Sequence, residues 1–595
     1  MINPITAEVI RQYFETVAEE IIETMVRASV SPIFNEAHDC SAGVFSYDGK
    51  DVCLISRGDA VPVHIFACLT SVEACIKFFR GDLNDGDVIL ACDPFFGGTH
   101  IGDYTIVKPV FHNNRPVFFP SVRAHMLDVG GPVPGGFNAD AEEVWQEGFR
   151  FPPIKVIEKG EPRQDVWELL KANNRLPDIA IADINSMIGA CRVGEQRIKE
   201  LINKYGLATV WEGVQYIFDH SETALRREIA IWPKGVYKGS ATLDQDFRGN
   251  QEINVEVSLE VQDDRVVVDF SGSHSQSPGV INSVPGNTLS YVYGCFAAAC
   301  PDIPINSGFF RPISTRLPEH SVVNPDPPAA AAYATICIGC TIGEAVMQAL
   351  GKVVPERSGT TSIALSILWT HGVDPRTKRF FISYDYHASP VSSGAAYGVD
   401  GWGGWSALFC ALKLASIEMT EIQYPFLYLQ ADECVTDSAA PGRWRGAPAY
   451  VMQRMSYGTD APVYLNIWVQ GTRHTLQGYA RGGPGASNYA AVHHGTERAR
   501  RVTDLAFLEA SLPGDVLFFQ CGGGGGWGDA LERDPGAVLR DVRDEIVSIA
   551  RAEVDYGVII DPTTLKVNSD ETARKRAELR GRARYASCDG LQVSR

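Results

Sequence analysis

Two histidines and three aspartates stand close together in Asp93-Pro94-Phe95-Phe96-Gly97-Gly98-Thr99-His100-Ile101-Gly102-Asp103 and Arg123-Ala124-His125-Met126-Leu127-Asp128. Neutral imidazole nitrogens and a carboxylate oxygen form the donor set of zinc, manganese and iron sites that keep positions open for water or substrate. The spacing favours one site. Asn113-Asn114-Arg115 reads as a hairpin turn between two strand-like runs, Tyr104 to Phe111 and Pro116 to Ser121. Folding about that turn pairs positions whose numbers sum to about 228, which sets Asp103 opposite His125. His100 lies upstream of Asp103 on a glycine-rich approach that lets the backbone bend tightly. We therefore take His100, Asp103 and His125 as candidate metal ligands. Asp93 and Asp128 are candidates for the acceptors that fix the histidine tautomers. Arg123 is a candidate for holding a carboxylate or phosphate oxygen, with a salt bridge to Asp128 as the alternative. Asn35-Glu36-Ala37-His38-Asp39 and Val63-His64 add His38 and His64 as candidate general bases.

Other motifs are weaker. Gly522 to Gly526 is a run of five glycines, but it lacks the Lys-Ser/Thr of a phosphate-binding loop and reads as a structural turn. Cys337-Ile338-Gly339-Cys340 is the one close pair among fourteen cysteines. Without a second pair it reads as two small buried hydrophobes. Tyr384, Tyr386, His387, Trp402 and Trp405 form an aromatic-rich zone. Such a zone is either core or a substrate pocket, and Tyr386, Trp402 and Trp405 are its candidate substrate contacts.

These residues need a scaffold. Apolar positions at Val9, Ile10, Phe14, Val17, Ile21 and Met25 predict an amphipathic helix over residues 4–29, capped by Asn3 with Pro4 in its first turn. Short β-branched runs follow. Helical character returns at about 165–230 and 341–352, and β texture dominates from about 236 and again to about 520. A helix is expected from Pro535 to Glu553, and the basic segment Arg574 to Arg584 is expected to be partly disordered. The fold class is α+β, with mixed sheets, helical segments and a β-rich C-terminal half. The expected units are an N-terminal metal-site domain (1–235), a mixed middle domain (236–375), a β-rich domain (376–530) and a helical tail (531–595).

Composition narrows the function. The chain has 595 residues and a formal charge of −19, so it carries no basic excess for a phosphate backbone. No uncharged apolar run reaches the ~18 residues of a membrane span, and the start has no secretory pattern. A cytoplasmic enzyme acting on a small molecule is the expectation.

The same segments carry a resemblance. Asp93-Pro94, Gly97 to His100, Asp103, then Arg123-Ala124-His125 and Asp128-Val129-Gly130-Gly131 resemble the hydantoinase B family. That family includes subunits of N-methylhydantoinase, oxoprolinase, caprolactamase and the acetone and acetophenone carboxylases. The resemblance runs nearly end to end, through Glu147 to Pro153, Asp269 to Ser273, Asn306-Ser307-Gly308, Asp437-Ser438, Pro441 to Gly446, Arg481 to Gly485, Pro513-Gly514-Asp515 and Gly522 to Asp529. It implies that His100, Asp103 and His125 hold zinc, manganese or iron. It also implies that ATP and magnesium belong to a hydantoinase A-type partner, with a further small subunit in some assemblies. Two departures stand out: Met126 replaces a second histidine, and Trp402 to Cys410 is apolar where many members carry histidine and threonine. The apolar version is similar to the lactam hydrolase and ketone carboxylase branch. The expected activity is carboxylation of a phosphate-activated enol from an acetophenone-like ketone. The alternatives are ATP-dependent lactam or hydantoin ring opening, or a non-catalytic scaffold subunit.

Overall fold

The computed structural model of the chain describes residues 2–58, 61–361, 366–388, 392–403, 412–458 and 461–589. The protein is α+β. Its first helix runs Pro4–Ala28, with Asn3 Oδ1 accepting from Ile5 N at 2.9 Å and Pro4 in the first turn. Ala7, Ile10, Phe14, Val17, Ile21 and Met25 form the buried stripe, whereas Val9 is exposed.

The N-terminal sheet contains β1 (Cys40–Tyr47), β2 (Val52–Arg57), β3 (Val88–Ala91), β4 (Asp103–Val107), β5 (Val110–His112), β6 (Arg115–His125), β7 (Ile154–Glu158) and β8 (Glu161–Pro162). The order is β2-β1-β6-β4-β3-β7-β8, with β5 also on β6. Side chains alternate across this sheet. Ala42, Val44, Val122 and Ala124 share a core with the first helix and with the helices Pro177–Tyr205 and Leu207–Ile231. Phe45, Phe119, Val107 and Ala91 face the other way, toward the helix Pro62–Phe79, which also packs on the helix Pro285–Ala299. His125, Arg123, Asp103 and Thr105 share that second face, because Asp103 pairs with His125 and Thr105 with Arg123. The β5–β6 turn is two residues long, and Asn113 and Asn114 have φ of 49° and 59°. Positive φ at both central positions is the hairpin turn whose twist matches its strands.

A second sheet holds β9 (Gly235–Gln245), β10 (Gln251–Val261), β11 (Val266–Asp269) and β12 (Ile313–Arg316), with the helix Gly339–Val353 packed on β9 and β10. A π-helical turn, Ala334–Ile338, leads into that helix. The C-terminal half builds two more sheets. One pairs β13 (Ile367–Val373), β14 (Phe380–Tyr384), β17 (Val463–Trp468) and β20 (Leu505–Ser511). The other pairs β15 (Phe426–Cys434), β16 (Tyr450–Ser456), β18 (Tyr489–Val492), β19 (Arg500–Val502) and β21 (Val516–Gln520). By length and composition the helices Pro62–Phe79 and Ala334–Val353 are apolar enough to cross a membrane, yet 50% and 83% of them lie inside the fold.

Three expectations need correction. The helix expected from Pro535 to Glu553 is two helices, Pro535–Arg543 and Ile549–Tyr556. Glu545 sits at φ 58°, and Ser548 caps the second helix through Arg551 N at 3.1 Å. The basic segment Arg574 to Arg584 lies within a helix, Ser569–Asp589, pinned by Lys575 to Glu553 and by Arg576 to the Tyr556 carbonyl. The glycine run is no turn. Gly523, Gly524, Gly526 and Gly528 donate backbone bonds to Ala486, Ala447, Gly483 and Tyr479, while Gly525 accepts from Ala395.

One buried acid ties the N-terminal unit to the middle of the chain. Glu147 is 1% exposed and accepts from Ala331 N and, at 2.7 Å, from Ala332 N, just before the π-helical turn. Burial outweighs these two bonds and pushes its carboxyl up to about 8. Between its ordinary value of 4.5 and 8 the folded chain therefore binds one proton more than the unfolded chain, and this group makes stability fall as pH rises across that window. Glu147→Gln should remove that slope. We expect denaturant unfolding at pH 5 and pH 8 to differ by a few kcal/mol less in the variant than in the parent. Equal pH slopes would mean that Glu147 does not titrate there.

Candidate metal centre

Asp103 begins β4 and His125 ends β6, so their pairing places both side chains at the same end of the sheet. His100 reaches them from the loop before β4. His100 Nε2 lies 2.9 Å and His125 Nδ1 3.3 Å from Asp103 Oδ1, and the candidate ligand atoms of the three residues fall within 4.8 Å of one another. Asp103 is fully buried, and His100 and His125 are only 3% and 6% exposed. Burial opposes the charge of Asp103. The charges of His100 and His64 and the histidine hydrogen bonds outweigh it and hold the carboxyl well below its usual range.

The local sequence explains the geometry. Gly97 takes φ 83°, and its carbonyl accepts from Thr70 Oγ1 at 2.8 Å and Ser71 Oγ at 2.7 Å. Thr99 Oγ1 donates to Asp103 Oδ2 and fixes that carboxylate. Gly102 lies against both imidazoles: a Cβ there would stand 2.5 Å from His100 Cε1 and 2.6 Å from His125 Cε1. Phe137 covers the other side. Its ring is nearly parallel to His100 (5.8 Å, 22°) and His125 (5.3 Å, 19°).

These residues fit a divalent metal. Two imidazole nitrogens and one carboxylate oxygen are a suitable donor set. Donors ~2.1 Å from a shared ion stand about 3.0–3.4 Å apart, and the two contacts to Asp103 come close to that spacing. His125 Nε2 is buried without a hydrogen-bond partner.

A cavity opens above the cluster. Asp39 and His64 flank its polar floor, and Val61, Val63, Phe137, Ile336, Leu368 and Leu412 are among its apolar walls. The β1–β6 pairing delivers Asp39: Cys40 pairs with Ala124, and the Asp39 carbonyl accepts from His125 N at 3.2 Å. Burial and the Asp103 charge raise the Asp39 carboxyl to about 7 against the pull of His125. His64 sits in the first turn of the Pro62–Phe79 helix, its Nε2 3.6 Å from Asp103 Oδ2 and 3.8 Å from Asp39 Oδ1. Its Nδ1 is buried without a partner. Burial, reinforced by Arg123, lowers the imidazole to about 4.

The other candidates are placed differently. His38 has φ 56° and lies outside the cavity lining, with Glu23 and Lys413 as its charged neighbours. Asp39 takes the position expected of it, because adjacent residues point to opposite sides. Asp128 does not orient a histidine. It accepts from Gly130, Gly135 and Arg175 and so pins its own loop. Asp93 caps the following turn through Phe95 N and pairs with Arg150. Arg123 neither reaches the cavity nor pairs with Asp128. It is fully buried, donating to Thr105 Oγ1 at 2.9 Å and Ser71 Oγ at 2.5 Å. Tyr386 lines the cavity. Trp402 is 69% exposed and absent from its lining, and Trp405 lies outside the described residues. Asp39, Thr99, Gly102 and Phe137 were missed. The parity of Asp39 with His125 was the available signal, but it required knowing that β1 joins β6.

Comparisons follow the same line. The sequence matches the hydantoinase B/oxoprolinase family over residues 3–530. It is 33% identical over 572 residues to the caprolactamase subunit beta of Pseudomonas jessenii, covering 94% of this chain and 97% of that one. The crystal structure of the ATP-dependent caprolactamase from the same organism superposes with a TM-score of 0.88 at 31% identity, over 97% of this chain and 100% of the other. An acetone carboxylase in its nucleotide-free structure shares the fold, with a TM-score of 0.88 at 18% identity over 100% of this chain and 84% of the other.

Proposed function

The chain belongs to the hydantoinase B/oxoprolinase family and is a hydantoinase B-type enzyme subunit, and on that premise we propose that it opens cyclic amides activated by an ATP-using partner. The observation that carries this reading is the buried His100–Asp103–His125 cluster at the floor of an apolar-walled cavity, with Asp39 and His64 beside it. The lean toward an acetophenone-like ketone rested on Trp402 and Trp405. With Trp402 in solvent, the similarity to a caprolactamase subunit weighs more.

His100 Nε2, Asp103 Oδ1 and His125 Nδ1 would hold the metal. When bound, a divalent ion polarises a substrate oxygen and lowers the pKa of water. The remaining steps fall to the chain. Opening of the phosphorylated ring joins a water oxygen to the amide carbon, breaks the C–N bond with the water protons passing to the ring nitrogen, and leaves an acyl phosphate that a second water hydrolyses to the carboxylate and phosphate. The Asp39 carboxyl, at the cavity floor, takes the proton from water and returns it to that nitrogen. His64 Nε2 stands 3.6 Å from Asp103 Oδ2 and 3.8 Å from Asp39 Oδ1, beside both carboxyl groups. Thr99 and Phe137 keep the carboxylate and imidazoles in place, and the apolar walls exclude bulk water. The chain has no phosphate loop, so ATP hydrolysis belongs to a hydantoinase A-type partner.

The purified chain alone should not turn over ATP. Combined with an A-type partner, it should convert a lactam to the ω-amino acid only with ATP present. Labelled bicarbonate entering a ketone, with no lactam opened, would replace this reading with carboxylation. A metal-free chain that supports full turnover would remove the metal role.

A further inference from the structure

We propose that Thr335 is a further substrate-binding residue, its side-chain hydroxyl donating a hydrogen bond to an acceptor atom of the molecule on which the metal centre acts. The inference rests on the reading of the His100–Asp103–His125 cavity as the reacting site. It gives the π-helical turn Ala334–Ile338 the task of presenting that hydroxyl.

Thr335 lines the same cavity as His64, His100, Asp103 and His125 and is 7% exposed. A hydroxyl buried to this degree ordinarily has a partner, because leaving it unpaired costs stability. Among the described residues the Thr335 hydroxyl has none. Its oxygen is not among the fully enclosed unpaired atoms either, so it keeps access to the space that the residue lines. Tyr384 differs: it lines the same cavity, but its hydroxyl is taken by the Gly135 carbonyl at 2.5 Å.

Neighbouring elements fix the position of this residue. The helix Pro285–Ala299 carries Asn287, Ser290 and Tyr291 at i, i+3 and i+4, which puts all three on one face. All three are fully buried. Asn287 Nδ2 donates to the Ala334 carbonyl at 3.1 Å, and Tyr291 Oη donates to the Thr335 carbonyl. Ser290 Oγ donates to the carbonyl of Val63, the residue before His64. One helix face thus holds both the Thr335 turn and the His64 turn. Gly339 closes the π-helical turn by donating to the Ala334 carbonyl, and a Cβ there would stand 2.2 Å from the Tyr291 ring. Ahead of the turn, Asn282 Nδ2 donates to the Ala330 carbonyl at 2.9 Å, and Glu147 accepts from Ala331 N and Ala332 N. The Tyr333 ring packs at 5.4 Å on Phe137, the ring that covers both imidazoles.

A core helix satisfies its backbone internally. Here four buried side chains, Glu147, Asn282, Asn287 and Tyr291, are spent on the backbone of residues 330–335. π-helical turns of this kind occur mostly at functional positions. Thr341 shows what a threonine in the following helix does otherwise: its Oγ1 donates to the Cys337 carbonyl, four residues back, at 3.4 Å. The carbonyl four residues before Thr335, that of Ala331, accepts from Ala334 N instead. The Thr335 hydroxyl is therefore left for the occupant of the cavity. A substrate atom that gives up a water hydrogen bond on entering needs such a donor.

The test uses the chain assembled with its ATP-using partner, with ε-caprolactam as substrate. Thr335→Val keeps the branched shape and removes the hydroxyl. We expect kcat/KM to fall at least about tenfold, because a substrate atom then loses its partner in a site closed to water. Bound metal should stay at the parent's level. The thermal midpoint should stay at or above the parent's, because the hydroxyl removed had no protein partner. Thr335→Ser keeps the hydroxyl and should hold kcat/KM within about threefold of the parent. A Thr335→Val enzyme with the parent's kcat/KM would overturn the proposal. So would one whose loss of activity comes with a lowered midpoint and is shared by Thr335→Ser, since that is a structural role. If ε-caprolactam is not opened and labelled bicarbonate enters acetone, the ring-opening reading falls. The same three chains compared on acetone then decide the role of Thr335 by the same criteria.

Discussion

Replacing His100 or His125 by alanine should lower bound divalent metal from about one per chain to near zero and reduce turnover of the assembled enzyme at least about a thousandfold. Each variant leaves two ligands where three converge on one point. Neither imidazole is a keystone of the core. Each packs on Phe137 and on the other imidazole, so the lost ring opens space into an existing cavity. The thermal midpoint should therefore move by a few degrees at most. Gly102→Ala should reproduce the metal loss without touching a ligand, because its methyl would press on both imidazoles. Elemental analysis after dialysis, paired with circular dichroism, checks all three variants. Full metal occupancy in the His100→Ala/His125→Ala double variant would rule out this centre.

The part of this centre that was legible in the sequence is the part that local chemistry specifies. Asn113 and Asn114 accept the left-handed conformation a two-residue turn needs, and a turn of known length fixes its strands' register. Continued unchanged from the His112–Arg115 pair, that register would set Asp103 against Ala124; a bulge between Val110 and Phe111 shifts it by one residue and sets Asp103 against His125, the pairing that folding about residue 114 predicts. The α+β class and the first helix were legible for the same reason. Asp39 was not, because it arrives through β1 pairing with β6, a contact between segments some eighty residues apart in sequence. Once β1 is known to lie beside β6, Asp39 rather than His38 is the residue beside His125. Asp128 was misread because its loop offers it nearer donors, Gly130, Gly135 and Arg175. Trp402 was misplaced for a different reason. Composition marks an apolar segment but does not say which surface it faces, and the cavity takes its apolar wall from Ile336, Ile367, Leu368 and Leu412 instead.

Gly524→Ala should be among the most destabilising single methyl additions at the described residues, leaving the chain insoluble or lowering stability by more than about 4 kcal/mol. The expectation comes from direction of bonding, not from dihedral angle. Gly522 to Gly526 are absent from the glycines with positive φ, so a side chain is not excluded by their own backbone. What excludes it is the neighbours. An ordinary strand hydrogen-bonds along two edges and fills the other two directions with side chains. Here the bonds leave toward segments at Ala486, Ala447, Gly483, Tyr479 and Ala395, in more directions than two edges provide. The surrounding chains therefore close in where side chains would stand. A Cβ on Gly524 would run into the Ser393 carbonyl, one on Gly446 into Gly524 O, and one on Gly485 into Gly523 O. All three obstacles are backbone atoms; Ser393 O accepts from Ala447 N, and Gly523 and Gly524 are tied through their own N–H groups to Ala486 and Ala447, so no rotamer change relieves the overlap. Gly189→Ala is the control. That glycine lies within the Pro177–Tyr205 helix with no atom within 4 Å of the added methyl, so the change should be neutral or stabilise by up to about 1 kcal/mol. Denaturant midpoints of the two variants measure the contrast. A folded Gly524→Ala chain with the parent's midpoint would show that these segments stand further apart than their hydrogen bonds require.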